Sequence, residues 1–456
     1  MSHATSKAVT WSSNTSFLLA TIGIAVGLGN IWRFPYVVGT NGGGAFVLVY
    51  ILTLLAFAAP IMISELIIGR EGRKDPFSTM EALTSRYDAS KGWKLIGWLS
   101  LAIPFVALSY YSVVAGWTVD YTVASAVNTF DGIDAQGSND YFMNLAGSPL
   151  LTGALYLGFI AFSAFIISKS LKEGLEKSVK FLMPLLFIIL LFLVAYAAYA
   201  GDFARGFSYL FSPDLSKITP DVVLAAMGQA FFSLGVGAGS VMAYGGYLSK
   251  DASIPRSVLV VAFADTSVAL LAGLAIFPFV FAFGLEPGSG PGLIFETLPI
   301  AFGQVAGGQW IGMLFFFLLA GAALTTALSM LECLVRFLTD KYGFTRPKAT
   351  AITASGSAVL GLGAALSFNV LGDFKPLSFI DTFSNKTIFD LMDYSVANIM
   401  IPLNALLIVL FCGWILPKAR VREQFSQQST ALFTPWLSLI KFIIPVGVIA
   451  VLISGL

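Results

Sequence analysis

The sequence predicts an all-α integral membrane protein of about eleven transmembrane helices. Three observations predict it. Apolar runs fill the chain, which is 57% hydrophobic and only 11% charged, with mean hydropathy +0.83. Lys and Arg crowd alternate loops and desert the others. Two of the apolar runs are interrupted by clustered glycines, which a plain membrane anchor would avoid. A net charge of +1 offers no basic field to a nucleic acid. Cys333 and Cys412 both lie in apolar stretches, so neither a disulfide framework nor a metal-thiolate site is expected. The one histidine, His3, sits in a polar tail, and the first apolar run lacks a small-residue cleavage site, so no cleavable signal is expected.

The expected spans are about 12–37, 42–70, 93–125, 151–168, 175–200, 220–247, 257–284, 309–338, 349–368, 390–416 and 434–455. Arg70, Arg73, Lys74, Arg86, Lys91 and Lys94 lie between spans 2 and 3, and Lys169, Lys172, Lys177 and Lys180 between spans 4 and 5. Lys341, Arg346 and Lys348 follow span 8, and Lys418, Arg420 and Arg422 follow span 10. The stretches 126–150 and 285–308 have no Lys or Arg. The positive-inside rule then puts the N-terminus in the cytoplasm and, with eleven spans, the C-terminus outside. Segment 292–305 is apolar but too short to cross, which suggests a re-entrant or capping helix. The charged tract 71–92 suggests a cytoplasmic loop with a short amphipathic helix. No separate soluble domain is expected: 1–456 reads as one transmembrane domain.

Span 1 carries GIAVGLGNIWRFP at 23–35, with Gly23, Gly27 and Gly29 followed by Asn30, Trp32, Arg33 and Pro35. We expect it to break near Ala25 to Leu28. Irregular backbone at membrane depth must be buried in protein or line a cavity. Its freed carbonyls suit a cation and its freed N–H groups suit an anion. Span 6, GQAFFSLGVGAGSVMAYGG at 228–246, clusters glycines at 235, 237 and 239 beside Gln229 and Ser233. Two interrupted spans in matching positions point to an inverted five-plus-five repeat, about 12–200 and 220–416, with 434–455 as an addition.

GIAVGLGNIWRFP, NGGGAF at 41–46, QAFFSLGVGAGS at 229–240 and ALTTALS at 323–329 together resemble the neurotransmitter:sodium symporter family, over nearly the whole chain. An eleven-span chain resembles the bacterial amino-acid transporters of the family, with the leucine-transporter fold.

The resemblance implies two sodium sites. The first maps onto the Ala25 carbonyl, Asn30, Ser233 and Asp265, with the substrate carboxylate. The second maps onto carbonyls of Gly23, Val26 and Ala322 and hydroxyls of Thr325 and Thr326. A hard cation in a dry site needs such fixed oxygens, although lone helix threonines more often bond back to their own backbone. The substrate carboxylate maps to the N–H groups near Leu28 and Gly29 and to the Tyr111 hydroxyl, and the ammonium to carbonyls of Ala25, Phe232 and Ser233. Ala107, Tyr111, Phe232, Gly235, Ala238, Thr326 and Met330 map around the side chain. The same aromatics could equally be packing.

Gate residues also map. Arg33 and Asp393 correspond to the outer pair, with Tyr111 and Phe232 as a lid, and Trp11, Tyr247 and Asp340 to the inner gate. Ala8 stands where the family often has arginine, with Lys7 beside it as a substitute. Gly174 and Pro184 reproduce a fifth-span spacing that lets the helix start unwind, or else mark a static kink. Tyr50, Gln229, Ser233, Asp265 and Ala269 map around the position where some members bind chloride. Ala269 replaces a glutamate, but Asp265 supplies a negative charge in the same cluster, so chloride is not expected to be required, and Asp265 is a candidate to exchange a proton after sodium leaves.

The expected function is therefore sodium-coupled symport of bulky hydrophobic or aromatic L-amino acids across the cell membrane. Leucine-sized substrates are the second reading. A gated channel is the reading from another class, and saturable sodium-dependent uptake separates the two. An enzyme is not expected, because no Ser–His pair, paired aspartates or metal-ligand set lies in the spans.

Overall fold

The computed structural model describes residues 10–249, 251–287, 292–425 and 430–455. Among them nine helices are long and apolar enough to cross a membrane: Gly44–Gly72, Lys91–Ala126, Pro149–Ser168, Lys172–Ala200, Ile254–Ala282, Gly308–Tyr342, Arg346–Leu366, Ile388–Ile415 and Ala431–Gly455. A tenth span is the pair Asn14–Ala25 and Gly29–Thr40, bent by 47° at its break. The remaining apolar segment, Pro220–Leu234 followed by Ser240–Gly245, completes the order as span 6. Spans are numbered 1 to 11 below in this chain order.

Spans 3 and 8 pack along their length, and the N-terminal half of span 1 lies against spans 5, 7 and 8. The C-terminal half of span 6, Ser240–Gly245, lies against span 2. The two broken spans thus sit inside the bundle. Spans 4, 5 and 11 are the most exposed in the molecule, with only about a third of their apolar windows buried (33%, 33% and 28%), as expected of lipid-facing helices.

Prolines shape several spans. Widened π-turns occur at Gly29–Arg33, Leu54–Ala58, Leu293–Thr297, Ser395–Met400, Phe411–Ile415 and Leu439–Ile443. Each ends two residues before a proline: Pro35, Pro60, Pro299, Pro402, Pro417 and Pro445. A proline has no N–H to give and its ring collides with the carbonyl one turn back. Widening that turn absorbs the misfit without ending the helix in the first four and the last of these, whereas Phe411–Ile415 ends span 10 and Pro417 follows it in extended backbone.

The connections hold short helices outside the expected spans. Ala135–Gly147 starts at Asp134, whose side chain accepts from Gly137 N at 2.8 Å. Phe203–Phe211 starts at Asp202, which accepts from Arg205 N at 3.1 Å. Both are ordinary side-chain caps. Segment 292–305 forms a helix that lies against span 3, where Tyr121 donates to the Phe295 carbonyl at 2.8 Å. Tract 71–92 contains the expected short helix, Pro76–Arg86. Its Glu81 bridges Lys341 and Lys94, and these hydrogen bonds hold the carboxyl below its usual pKa.

Candidate functional site

Span 1 opens between Ala25 and Gly29, where Val26 leaves helical geometry at ψ 93°. The glycines here serve space rather than unusual torsion. A Cβ on Gly27 would fall 2.5 Å from Thr326 Oγ1 and 3.3 Å from Tyr111 Oη. Span 6 opens differently. Gly235, Gly237 and Gly239 all have positive φ, at 61°, 77° and 88°, a region nearly closed to other residues. A Cβ on Gly239 would also sit 2.2 Å from the Ser100 carbonyl.

The opened strand of span 6 is held from outside itself. Glu65 of span 2 is fully buried and accepts from the N–H groups of Gly237 at 2.8 Å, Gly239 at 3.1 Å and Met242 at 3.1 Å. Asn404 of span 10 donates to the Gly237 carbonyl at 2.7 Å and to Ser100 Oγ at 3.0 Å. The sequence reading named neither residue. Glu65 carried a signal, an ionisable group inside an apolar run, that marks it for attention.

A cavity of about 70 Å³ lies between the two breaks. Ala25, Leu28, Gly29, Ala107, Tyr111, Phe232, Gly235, Ala238, Thr326 and Met330, all expected around a substrate, line it. Ile103, Tyr110, Ser329 and Ile401 line it as well and were not anticipated. Leu28 N donates to Tyr111 Oη at 3.4 Å, so one N–H of the opened backbone and one hydroxyl already converge. Above it is a vestibule of about 330 Å³ lined by Arg33, Trp32, Trp117, Phe295 and Asp393 among others. Leu28, Tyr110, Tyr111 and Phe232 line both spaces and stand between them.

Beside the cavity is a buried polar cluster. Asp265 of span 7 has no exposed surface. Asn30 Nδ2 donates to its Oδ1 at 2.8 Å and to its backbone carbonyl at 3.1 Å. Ser233 Oγ lies 2.9 Å from both carboxylate oxygens, and the Tyr50 hydroxyl lies 2.9 Å from Oδ2. Gln229 donates to the Gly29 carbonyl at 3.0 Å while its own Oε1 has no partner. Ala269 is buried one turn beyond Asp265. The donors to the carboxylate are all neutral, so its charge has no cation to balance it within this cluster.

On the N-terminal side of the span 1 break, Thr326 Oγ1 lies 3.5 Å from the Gly23 carbonyl and 3.3 Å from the Ala322 carbonyl. Thr325 bonds back to Ala322 O at 2.9 Å. Both threonines satisfy themselves on their own helix, and Thr326 also brings its hydroxyl to span 1.

Of the gate residues, Arg33 and Asp393 both line the vestibule, but no ion pair within 4 Å joins them among the described residues. Arg33 instead lies over the Phe232 ring, 4.5 Å from its centre. Trp11 is buried between Tyr244 and Tyr247, at 5.0 and 5.8 Å between ring centres, and donates to Tyr244 O at 3.3 Å. Asp340 pairs with Arg336 at 3.3 Å, one turn away on its own helix, and accepts from Asp75 N at 3.1 Å. Lys7 and Ala8 lie outside the described residues. Gly174 is buried in a wound π-turn, Lys172–Glu176, and Pro184 lies inside the helix that continues from it, so the start of span 5 is helical. Glu176 beside it accepts from Ser12 N at 3.1 Å, joining span 5 to the lead-in of span 1.

Two broken helices meeting at a buried cavity, with a vestibule on one side and an aromatic plug on the other, define a membrane transporter. Residues 8–134 and 150–456 match the sodium:neurotransmitter symporter family, and the chain belongs to it. It is 35% identical over 453 residues to the sodium-dependent transporter YhdH of Bacillus subtilis, covering 98% of each chain. It is 34% identical over 456 residues to a sodium-dependent transporter of Haemophilus influenzae, again covering 98% of each. Its structure resembles that of MhsT in complex with L-phenylalanine, with a TM-score of 0.88 and 36% identity, covering 98% of this chain and 100% of that one. The family is one of sodium-dependent symporters, multi-pass in the membrane.

Proposed function

We propose that this chain imports bulky hydrophobic or aromatic L-amino acids, coupled to sodium, by alternating access. The observation that carries the reading is the cavity between the breaks. Its polar end is the Leu28 N–H and the Tyr111 hydroxyl, which suit a carboxylate. Its other walls are small or apolar: Ala107, Gly235, Ala238 and the pliant Met330. MhsT, a likeness over nearly the full chain, binds L-phenylalanine in its complex. No Lys, Arg, Asp or Glu lines the cavity, so a charged side chain would be unpaired there. The test is a thermal-shift screen of the twenty amino acids with and without sodium, because a ligand that binds only the folded state raises its apparent stability. Stabilisation by phenylalanine or its like only in sodium is expected. Preference for glycine, proline or a charged amino acid would refute the size argument.

Two sodium ions fit this reading, one beside Asn30, Ser233 and Asp265 and one among Gly23, Val26, Ala322, Thr325 and Thr326. The geometry supports the second site through Thr326 Oγ1, which already approaches carbonyls from both helices. Replacing Thr325 and Thr326 together by alanine should abolish sodium-dependent binding while the protein still purifies folded, since water cannot replace both oxygens in so dry a place. Sodium titration of the melting temperature reads this directly, and wild-type sodium affinity in the double variant would displace the site.

Ala238 offers a test of size. Ala238→Phe should fill the cavity and shift competition from aromatic toward leucine-sized or smaller ligands by about tenfold or more, the scale of discrimination by pocket volume. The remaining parts of the reading are a single domain built as inverted repeats 12–200 and 220–416, a cytoplasmic N-terminus and an extracellular C-terminus. Arg33 with Asp393 and Trp11 with Tyr247 act as outer and inner gates, and unwinding from Gly174 to Pro184 opens the way out for sodium.

A further inference from the structure

We infer that a recess at the Lys- and Arg-rich end of spans 2 and 10 is a binding site for a phosphate-bearing anion, whether the phosphodiester of a lipid headgroup or a soluble phosphate. The recess has a volume of about 410 Å³. Four arginines line it, from three separate stretches of the chain. Arg70 and Arg73 stand at the end of span 2, and Arg86 ends the helix Pro76–Arg86. Arg420 comes from a short helix after span 10, Lys418–Glu423. Two carboxylates, Glu71 and Glu423, share the lining. Four positive and two negative groups leave a net charge of +2 in one recess. The site is separate from the cavity between the breaks, and nothing in it depends on the substrate.

The carboxylates are already taken. Glu71 accepts from Arg86 at 3.1 Å, from the Tyr87 hydroxyl at 2.9 Å and from Gln424 Nε2 at 3.3 Å. Glu423 pairs with Arg420 at 3.0 Å. Among the described residues no ion pair joins Arg70 or Arg73 to a carboxylate. Arg70 is only 5% exposed and is held by neutral acceptors. Its Nε donates to the Gln424 side chain at 2.7 Å, and its terminal nitrogens to the carbonyls of Gln424 at 2.7 Å and Ala252 at 2.6 Å. Arg73 donates to the Leu248 carbonyl at 2.6 Å, while burial and the neighbouring Arg336 hold its guanidinium below the usual pKa. A guanidinium has five N–H donors, so most of those on Arg73, Arg86 and Arg420 remain for a ligand. Their planar forks match phosphate oxygens. Basic residues at one end of a membrane bundle are ordinary, but the ordinary ones are spread over solvated loops. Here Gln424 fixes Arg70, so the contacts that shape the recess also tie the segment after span 10 to the end of span 2. The recess lies near headgroup depth. Trp414, at the end of span 10, is exposed, meets Phe442 at 5.7 Å between ring centres and has Lys441 Nζ 4.7 Å from its own. Aromatic and lysine side chains so placed mark a membrane interface, and Arg420 follows shortly after in the chain.

The test is a thermal-shift titration of the full chain in a neutral maltoside detergent at physiological ionic strength, because a ligand of the folded state raises its apparent stability. One arm adds short-chain phosphatidylglycerol against phosphatidylcholine. The other adds potassium phosphate against potassium chloride of equal ionic strength. Wild type should be stabilised by phosphatidylglycerol over phosphatidylcholine, by phosphate over chloride, or by both, and the arm that saturates at the lower concentration names the source. Arg73→Gln with Arg420→Gln should raise the half-saturating concentration about fivefold for each charge removed, the scale of one basic residue at an anionic surface. Lys418→Gln with Arg422→Gln removes the same charge from exposed residues outside the recess. It should change that concentration by less than about twofold, since exposed charges are screened beyond about 8 Å. Glu423→Gln should lower it, a gain of binding that a damaged fold does not imitate. Should the Arg73 and Arg420 double variant fail to fold, Arg420→Gln decides alone, because that side chain is 58% exposed and its one ion pair is with Glu423. Equal responses of the two double variants, or a wild type indifferent in both arms, would overturn the site.

Discussion

Asp265→Asn should abolish uptake in chloride-free medium and regain it, at least in part, when chloride is supplied. The carboxylate is wholly buried, and its partners Asn30, Ser233 and Tyr50 are neutral donors. Such donors steady a negative charge without cancelling it, so the charge remains to balance a cation. A unit charge about 4 Å from a cation contributes on the order of 4 kcal/mol at the effective dielectric of such sites. Losing it should lower uptake on the order of 100-fold or more. Asparagine keeps the shape and removes the charge, so a diffusible anion should substitute beside the Tyr50 and Ser233 hydroxyls, which can donate to it, where Ala269 leaves no carboxylate. Uptake of labelled substrate into proteoliposomes, in gluconate against chloride, measures both halves. A wild type that needs chloride, or a variant indifferent to its absence, would refute the role of Asp265 as the built-in anion.

Glu65→Ala should cost more stability than any substitution in the cavity walls. It strands the N–H groups of Gly237, Gly239 and Met242, all buried. A buried donor left without a partner costs about 1–3 kcal/mol, so three together approach the whole stability of many domains. The opened strand cannot rescue itself by winding, because its glycines hold left-handed torsions where a helix cannot continue. We expect loss of folded yield or a melting temperature lower by well over 5 °C in detergent, and loss of sodium-dependent binding. Glu65→Gln, which retains one acceptor oxygen and turns the other into a donor, should fall between. Equal melting of Glu65→Ala and wild type would show that the strand is held by other contacts, Asn404 foremost.

Much of the fold was legible because the bilayer fixes helix length. The spans begin and end within a few residues of where hydropathy placed them, and the break expected at Ala25 to Leu28 lies between Ala25 and Gly29. The glycines of span 6 were legible as a break for a reason stronger than low helix propensity, since all three adopt positive φ. What escaped was short or paired through space. Ala135–Gly147 and Phe203–Phe211 lie in loops of mixed polarity, where only the capping aspartates announce them. Glu332 and Arg346, and likewise Glu65 and Gly237, meet across folds of the chain that no local spacing reveals. The residues around the cavity were legible through family resemblance rather than through chemistry, because alanines, glycines and a methionine carry no sign of function by themselves.

The position of the span 6 break has an electrical meaning. Pro220–Leu234 is 15 residues long, about 22 Å of helix at ~1.5 Å per residue. The hydrocarbon layer is about 30 Å thick. With Pro220 on the outer side, as the proposed topology has it, a cation reaching the break from outside has already crossed much of the voltage drop. Each elementary charge carried across 100 mV gains about 2.3 kcal/mol. A cell that is negative inside therefore loads this site with part of its own potential, before the inner gate moves at all. The depth at which the glycines interrupt the helix sets how that energy divides between filling the site and emptying it.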